Sequence, residues 1–183
     1  MTHLTIFGGS APQFSSSDPI EIANQLDGID VLFERWEASV DIKSNALGSH
    51  AIEAYQSSID RLVNRYEFQS YDVISLDKSH PDKEALRSKF LNEHTHSEFE
   101  VRFFVEGRGL FYLHPDERVF AILCEKGDLI SVPPNVKHWF DMGASPDFTC
   151  IRLFTDPAGW IAEFTGDTIS EEYPKLERYL ELC

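Results

Sequence analysis

Between Glu93 and Phe154 the sequence breaks into short apolar or alternating runs, and this pattern constrains the fold more than any other feature. The runs include EVRFFVE, GLFYLH, RVFAILCE, DLISVPP, HWFDMG and FTCIRLF, and turn residues separate them at intervals of roughly ten residues. Such spacing is typical of antiparallel strands in a sandwich or barrel. The sequence therefore predicts a β core over about residues 93–155.

The flanking segments have helical signals instead. A cap-like SSSDP precedes apolar residues at helical spacing, and SHPDKEALRSKFLNEH begins with Ser79, a proline and acidic residues. A longer stripe repeats at i, i+3 and i+4 over Ile52, Tyr55, Ile59, Leu62 and Val63. We predict a helical region over about 17–92, a charged helix over about 170–181, and a single domain spanning 1–183.

Composition excludes several classes of function. A formal net charge of −15 repels the phosphates of nucleic acids and the anionic surface of a membrane. No apolar run reaches transmembrane length, and the N-terminus lacks the pattern of a signal peptide. Three scattered cysteines, Cys124, Cys150 and Cys183, indicate free thiols in a reducing compartment. The expectation is a cytoplasmic protein, compatible with a monomer.

The stretch HTHSEFE concentrates groups that can bind metal. On a strand, His94 and His96 point to the same side, and Glu100 joins them if the strand continues or if a tight bend intervenes. Two imidazoles and a carboxylate suit a divalent transition metal with positions left open for substrate. An exposed, charged strand is the alternative, and it explains the pattern less well when all three residues are considered.

A second segment strengthens the metal hypothesis and carries a resemblance to a known superfamily. The chain resembles the cupins in a first motif, His94, His96, Glu100 and Gly107, and in a second motif, Gly127, Pro133 and His138. The resemblance implies that His138 is the fourth ligand. It also implies a fold that is mainly β with flanking α helices, a cupin-type double-stranded β-helix or jelly-roll barrel.

This sequence departs from the cupin motifs at positions that are not ligands. Ser88, Asn135 and Met142 stand where two glycines and an asparagine are usual. Asparagine tolerates a left-handed backbone, so the change at Asn135 is mild. Ser88 lies in the third predicted helix, which suggests that the strand entering the site is short.

Longer blocks resemble the acireductone dioxygenase family of methionine salvage. They are FERWEA, EHTHSEFEVRFFVEGRGLFYL, EKGDLISVPPNVKHWFDMG and IRLFTDPAGWIAEF, in that family's order, with Phe99 in place of an expected polar residue. The resemblance implies one Fe²⁺ or Ni²⁺ per chain and cleavage of the acireductone 1,2-dihydroxy-3-keto-5-methylthiopentene by O₂. With iron, the implied products are formate and 4-methylthio-2-oxobutanoate. With nickel, they are carbon monoxide, formate and methylthiobutyrate.

The neighbouring residues fit such a reaction. Arg102 lies two residues beyond Glu100, so the pleat of a strand points its guanidinium into the same cavity, where it can bind the substrate's anionic oxygens. We predict Arg102 as both a catalytic and a substrate-binding residue. A simple salt bridge from Arg102 to Glu98 or Glu100 is the alternative.

Four further residues are candidates for binding the substrate. Phe90, Phe140 and Trp160 could surround the apolar methylthio tail, because sulfur makes favourable contacts with aromatic rings. Arg152 points inward on the strand TCIRLF. The alternatives are core packing for the three aromatic residues and a buried structural ion pair for Arg152.

Two charged residues beside the motif receive a weaker interpretation. Glu93 and Glu98 are expected to be solvated or to support the ligands from behind. Two competing functions also remain: a non-catalytic cupin that binds a metal and a small ligand, and a cupin oxygenase acting on a quinol or a thiol.

Overall fold

The computed structural model describes residues 1–37, 47–156 and 161–183, and its elements form two β-sheets with helices packed against them. The strands are β1 (His3–Gly8), β2 (Ala11–Ser16), β3 (Leu32–Arg35), β4 (Ser70–Leu76), β5 (His94–Thr95), β6 (Glu100–His114), β7 (Arg118–Glu125), β8 (Asp128–Val132), β9 (Lys137–Asp141), β10 (Phe148–Phe154) and β11 (Glu163–Phe164). The helices are α1 (Pro19–Asp27), α2 (Leu47–Tyr66), α3 (Lys83–Phe90) and α4 (Leu176–Leu180), with a 3₁₀ turn at Ile169–Glu171.

Strand β6 belongs to both sheets. One sheet has the order β11–β5–β9–β6–β7–β1–β2, and in the other β6 lies between β8 and β10, which extend to β3 and β4. The strand changes partners around Gly107, whose φ is 73°. A Cβ at this glycine would lie 1.7 Å from the carbonyl oxygen of Asp147, so only glycine fits the close approach.

Apolar side chains fill the space between the sheets and cover their outer faces. The inner core includes Phe104, Phe111, Ile122 and Phe140. Outside, α2 packs on the β3–β8–β6–β10 sheet in a cluster with Val101 and Phe103, and the C-terminal segment packs on the other sheet in a second cluster around Tyr112 and Trp139. Because both faces of the central strands are buried, their sequences are nearly continuous apolar runs.

The predicted fold class, mainly β with flanking helices in a jelly-roll barrel, is confirmed. The strands RVFAILCE and FTCIRLF have the expected bounds. Helix α1 begins as predicted, because the Asp18 carboxylate accepts hydrogen bonds from the backbone amides of Ile20 and Glu21 at 2.8 and 3.1 Å. Asn135 adopts the left-handed conformation, with φ 64°, where the motif usually has glycine.

Two predicted boundaries are wrong. The region 17–92 is not wholly helical, because β3 and β4 lie within it, and β1 and β2 also extend the sheet beyond residues 93–155. The C-terminal helix is α4 alone, shorter than 170–181, since Pro174 separates it from the 3₁₀ turn. That residues 1–183 form a single domain stays a prediction. Among the described residues, no helix is long and apolar enough to cross a membrane.

Candidate metal centre and cavity

The four predicted ligands meet at one point between the sheets. His94 and His138 are direct partners in the β5–β9 pairing, and Glu100 is the first residue of β6. A bend after β5 brings His96 to the same place, so the tight-bend arrangement is the one observed. One ligand atom from each of the four side chains lies within 4.8 Å of the others, and all four residues are buried.

The three imidazoles form a triangle around the carboxylate. Their ring centroids are 4.5 Å (His94–His138), 5.0 Å (His94–His96) and 5.1 Å (His96–His138) apart. Glu100 Oε2 is 2.9 Å from Nε2 of His96 and 3.0 Å from Nε2 of His138. This compact set of three nitrogens and one oxygen has the composition expected for Fe, Ni or Zn.

Backbone carbonyls fix the tautomer of two histidines. Nδ1 of His94 is 2.7 Å from the carbonyl oxygen of Asn92, and Nδ1 of His138 is 2.7 Å from that of Val136. Because a carbonyl oxygen can only accept, each Nδ1 carries a proton, and Nε2 is the nitrogen of each ring that faces the cluster and could bind a cation there. Nδ1 of His96 has a longer contact, 3.4 Å, with the carbonyl oxygen of Ile161.

The electrostatics of the cluster also fit a cation. Burial lowers the pKa of His94 to about 4, and the neighbouring His138 adds to this effect, so the His94 ring is neutral at physiological pH. Burial alone would raise the pKa of Glu100, but Arg102 and the contacts of His138 and His96 hold it well below its usual value. Electron-rich nitrogens therefore surround an ionised carboxylate, an arrangement that a divalent ion between them would satisfy.

Arg102 lies beside the cluster as the pleat of β6 predicts. Its Nε donates to Glu100 Oε1 at 2.7 Å, and its guanidinium carbon is 4.9 Å from the ring centroid of Phe140 and 5.6 Å from that of Phe111. The salt bridge considered as an alternative is thus present. The two interpretations coexist, because Arg102 also lines the cavity that reaches the cluster.

A cavity of about 190 Å³ opens onto the four ligands. Phe90 and Phe140 line it, with ring centroids 6.4 Å apart in an edge-to-face arrangement. Arg152 also lines it while pairing with Asp72 through Nε–Oδ1 at 2.8 Å and Nη2–Oδ2 at 2.6 Å, so the ion pair of the predicted alternative is present, although it is partly exposed and not buried. Trp160 lies outside the described residues.

Sequence reasoning missed some cavity residues: Ile74, Lys89, Ala162 and Phe164. Lys89 directly precedes Phe90, which was predicted to line the cavity, so its position beside Phe90 could have identified Lys89 as a cavity residue. Phe164 belongs to a two-residue strand that pairs with β5, and its ring centroid is 5.8 Å from that of His94. No local pattern predicts a long-range pairing of a strand this short.

Of the two environments that the sequence allowed for Glu93, the solvated one is not observed. The side chain is buried, with 1% exposure. Its Oε2 is 2.7 Å from Nδ1 of His114, and its Oε1 accepts from the Thr165 hydroxyl at 2.9 Å. The Thr165 backbone amide also donates to the Glu93 carbonyl oxygen at 3.1 Å. These contacts attach the segment carrying Phe164 directly behind His94.

A second buried carboxylate fixes α3 against the barrel. Asp141 of β9 is fully buried and accepts from Nε and Nη2 of Arg87 at 2.8 and 3.0 Å. The backbone amides of Gly143 and Leu176 donate to the same carboxylate at 2.9 and 2.8 Å. Asp141 thus joins α3, β9 and the C-terminal segment around one group.

Comparison with known proteins gives consistent matches. Residues 9–162 match the model of the ARD/ARD' family. The chain is 57% identical over 178 residues to an acireductone dioxygenase of Aquifex aeolicus, with 97% of each chain covered. It is 55% identical over 184 residues to an acireductone dioxygenase of Methylococcus capsulatus, covering 99% of this chain and 98% of that protein.

A solved structure has the same fold. It is an acireductone dioxygenase from Bacillus anthracis with a cadmium ion in its active centre, and it superposes with a TM-score of 0.81 at 27% sequence identity. The match covers 90% of this chain and 98% of that one. A match of this length extends beyond the β core to most of the flanking segments.

Proposed function

The chain belongs to the ARD/ARD' family, and from that premise we propose that it is a metal-dependent dioxygenase that cleaves the acireductone 1,2-dihydroxy-3-keto-5-methylthiopentene with O₂. The observation that carries the proposal is the cluster of three imidazoles and one carboxylate at the wall of a cavity. The reaction places the enzyme in methionine salvage.

We assign the metal to His94, His96, Glu100 and His138. When bound, an Fe²⁺ or Ni²⁺ ion supplies a Lewis acid with open positions for the two oxygens of the ene-diol. The protein contributes two imidazoles oriented by their Nδ1 hydrogen bonds and a carboxylate kept ionised by Arg102. The four side chains are therefore arranged to bind a metal ion before the substrate binds.

Arg102 is the residue that we assign to the substrate's negative charge. Its guanidinium has a fixed position, because Glu100 binds its Nε and the ring of Phe140 lies 4.9 Å from its carbon. A guanidinium held beside the ene-diol can bind an anionic oxygen and stabilise the charge as it redistributes. Arg152 extends the positive surface of the cavity, although Asp72 neutralises part of its charge.

The apolar part of the cavity suits the methylthio tail. Phe90 and Phe140 form an aromatic corner at 6.4 Å, and a thioether contacting such rings gains on the order of 1 kcal/mol. Trp160, which lies outside the described residues, stays a predicted third member of this corner.

Carbon balance corrects one implied product. The substrate has six carbons, counting the S-methyl group, so formation of formate leaves the five-carbon 4-methylthio-2-oxobutanoate. If carbon monoxide and formate both leave, four carbons remain, which is methylthiopropionate and not methylthiobutyrate. For the nickel enzyme we therefore propose carbon monoxide, formate and methylthiopropionate as the products.

The test is reconstitution of metal-free protein with Fe²⁺ or Ni²⁺, followed by metal analysis and product analysis on the acireductone under oxygen. Formate with the keto acid, or release of carbon monoxide, is the expected result, with one ion per chain. A protein that holds one ion yet consumes no oxygen with this substrate would contradict the proposed function.

We further propose that the protein acts in the cytoplasm as a monomer without nucleic-acid partners. Its net charge of −15 and its free cysteines support this proposal. Light scattering of the purified protein and fractionation of cells that produce it are the measurements that check it.

A further inference from the structure

Lys89 lies at the rim of the cavity and has no role in the assignments above. It is exposed, it lines the cavity, and it is the next-to-last residue of α3, directly before Phe90. Consecutive helical residues point in directions about 100° apart, so Phe90 can contact Phe140 while Lys89 remains at the solvent edge. The position combines access to water with access to the site.

The helix that carries Lys89 is firmly placed. Arg87, two residues earlier, binds the buried Asp141 of β9 through two hydrogen bonds of 2.8 and 3.0 Å. Phe90, one residue later, contacts Phe140. The backbone of Lys89 is therefore fixed on both sides, and only its side chain is free to follow a ligand entering the cavity.

The charges around the cavity give Lys89 its importance. Arg102 is engaged by Glu100, and Arg152 is engaged by Asp72. Within the ranges 1–37, 47–156 and 161–183, Lys89 is the cavity cation that forms no salt bridge with a carboxylate. The protein as a whole carries −15, so its overall field repels an anion, and a local cation at the entrance is needed to reverse that field.

We propose that Lys89 captures the ionised substrate at the cavity entrance and holds its negative charge while the ene-diol reaches the metal ligands. The inference rests on the proposed function, because an ene-diol conjugated with a ketone is acidic and is therefore an anion at neutral pH. Lys89 contributes to binding and not to the cleavage step, since it is exposed to solvent whereas the four ligands are buried. Lys89 is thus a binding residue that favours anionic substrates over neutral ones.

The test compares Lys89→Gln with Lys83→Gln in the metal-loaded enzyme. Both residues are on α3 and both changes remove one positive charge, but Lys83 does not line the cavity and its ammonium donates to the carbonyl oxygen of Lys78. For Lys89→Gln we expect KM for the acireductone to rise about fivefold, the size of one charge contact near a surface, with kcat within about twofold. Lys83→Gln is expected to match the wild type.

Two further measurements separate capture from a structural effect. Added salt should lower kcat/KM less steeply in Lys89→Gln than in the wild type, because one screened attraction is absent. Anaerobic titration with the acireductone should show the same weakening of binding as KM, and Lys89→Arg should restore it.

Three outcomes would overturn the inference. Equal KM values and salt slopes for the two glutamine variants would remove Lys89 from binding while leaving the proposed function intact. A fall in kcat at unchanged KM would assign Lys89 to the chemical step instead. No oxygen consumption by the metal-loaded wild type would refute the proposed function, and the role of Lys89 with it.

Discussion

The cavity has two sides that are built in different ways. We call His138, Phe140, Glu100 and Arg102, on β6 and β9, the strand wall, and we call Lys89, Phe90, Ala162 and Phe164, on α3 and around β11, the outer wall. Every residue of the strand wall is at most 5% exposed, whereas Phe164 is 49% exposed and Lys89 is at the surface.

The difference follows from backbone pairing. β6 pairs with β8 and β10 next to Glu100 and Arg102, and with β9 further along, so each side chain of the strand wall projects from a hydrogen-bonded ladder. The outer wall depends on two buried carboxylates, Asp141 of β9 against α3 and Glu93 beside β11, and on a two-residue strand. A metal needs ligands held to a fraction of an ångström, and the strand wall is buried and paired along its backbone, whereas the outer wall brings exposed side chains such as Lys89 and Phe164 to the cavity.

The largest effect is expected at a metal ligand beside the strand wall. His96→Ala should lose bound metal and more than about a hundredfold in activity, because even groups behind metal ligands typically cost ten- to a hundredfold. Metal analysis and oxygen uptake check it, with His80→Ala, a half-buried histidine that does not line the cavity, as the control. Full activity without metal in the variant would end the metal assignment.

Arg102→Ala should separate binding of metal from turnover. We expect the variant to keep one ion per chain and to lose about a hundredfold to a thousandfold in kcat/KM, as for removal of a charge-stabilising donor. Arg102→Lys keeps the charge but not the planar fork and should recover only part. If Arg102→Ala instead loses its metal, then Arg102 acts chiefly by holding Glu100.

Asp141→Asn should weaken the outer wall through α3. Leaving Arg87 without its buried partner is expected to lower the free energy of unfolding by about 3 kcal/mol. Urea denaturation measures this, and Glu181→Gln, which breaks an exposed ion pair with Arg178, should change it by less than about 0.5 kcal/mol. Equal effects of the two variants would show that burial of Asp141 is not what stabilises this contact.

Phe164→Ala should have the smallest effect. Because the side chain is half exposed, we expect a change in stability within about 0.5 kcal/mol and a KM raised about threefold through lost contact with substrate. Thermal melting and steady-state kinetics check both values. A large loss of stability would show that Phe164 contributes to packing as strongly as the buried side chains of the strand wall do.

What could be predicted from the sequence follows the same division. His94, His96 and Glu100 were predicted because their spacing is a local signal, His138 because the second motif resembles that of the cupins, and the position of Arg102 followed from the pleat. Local signals do not specify which distant segments pair, so β1 to β4 were missed as sheet members and Phe164 was missed beside His94.

Burial was also difficult to predict from residue type. Glu93 is an acidic residue in a charged segment, which normally indicates the surface, but its partners His114 and Thr165 come from segments 21 and 72 residues away. Only the assembled fold reveals that such partners exist. For Arg152, the alternating pattern of β10 predicted the direction of the side chain. Its ion pair with Asp72 could not be predicted, because it depends on β4 being the neighbour of β10.

The hydrogen bonds from the imidazole rings of His94 and His138 to the carbonyl oxygens of Asn92 and Val136 have a spectroscopic consequence. Protons on Nδ1 of His94 and His138, held at 2.7 Å from carbonyl oxygens within a buried cluster, should exchange slowly with water and appear as separate downfield resonances. A paramagnetic ion in the cluster would move each resonance by an amount characteristic of its electron spin. These two protons are therefore natural reporters that can distinguish iron from nickel in solution without any substrate.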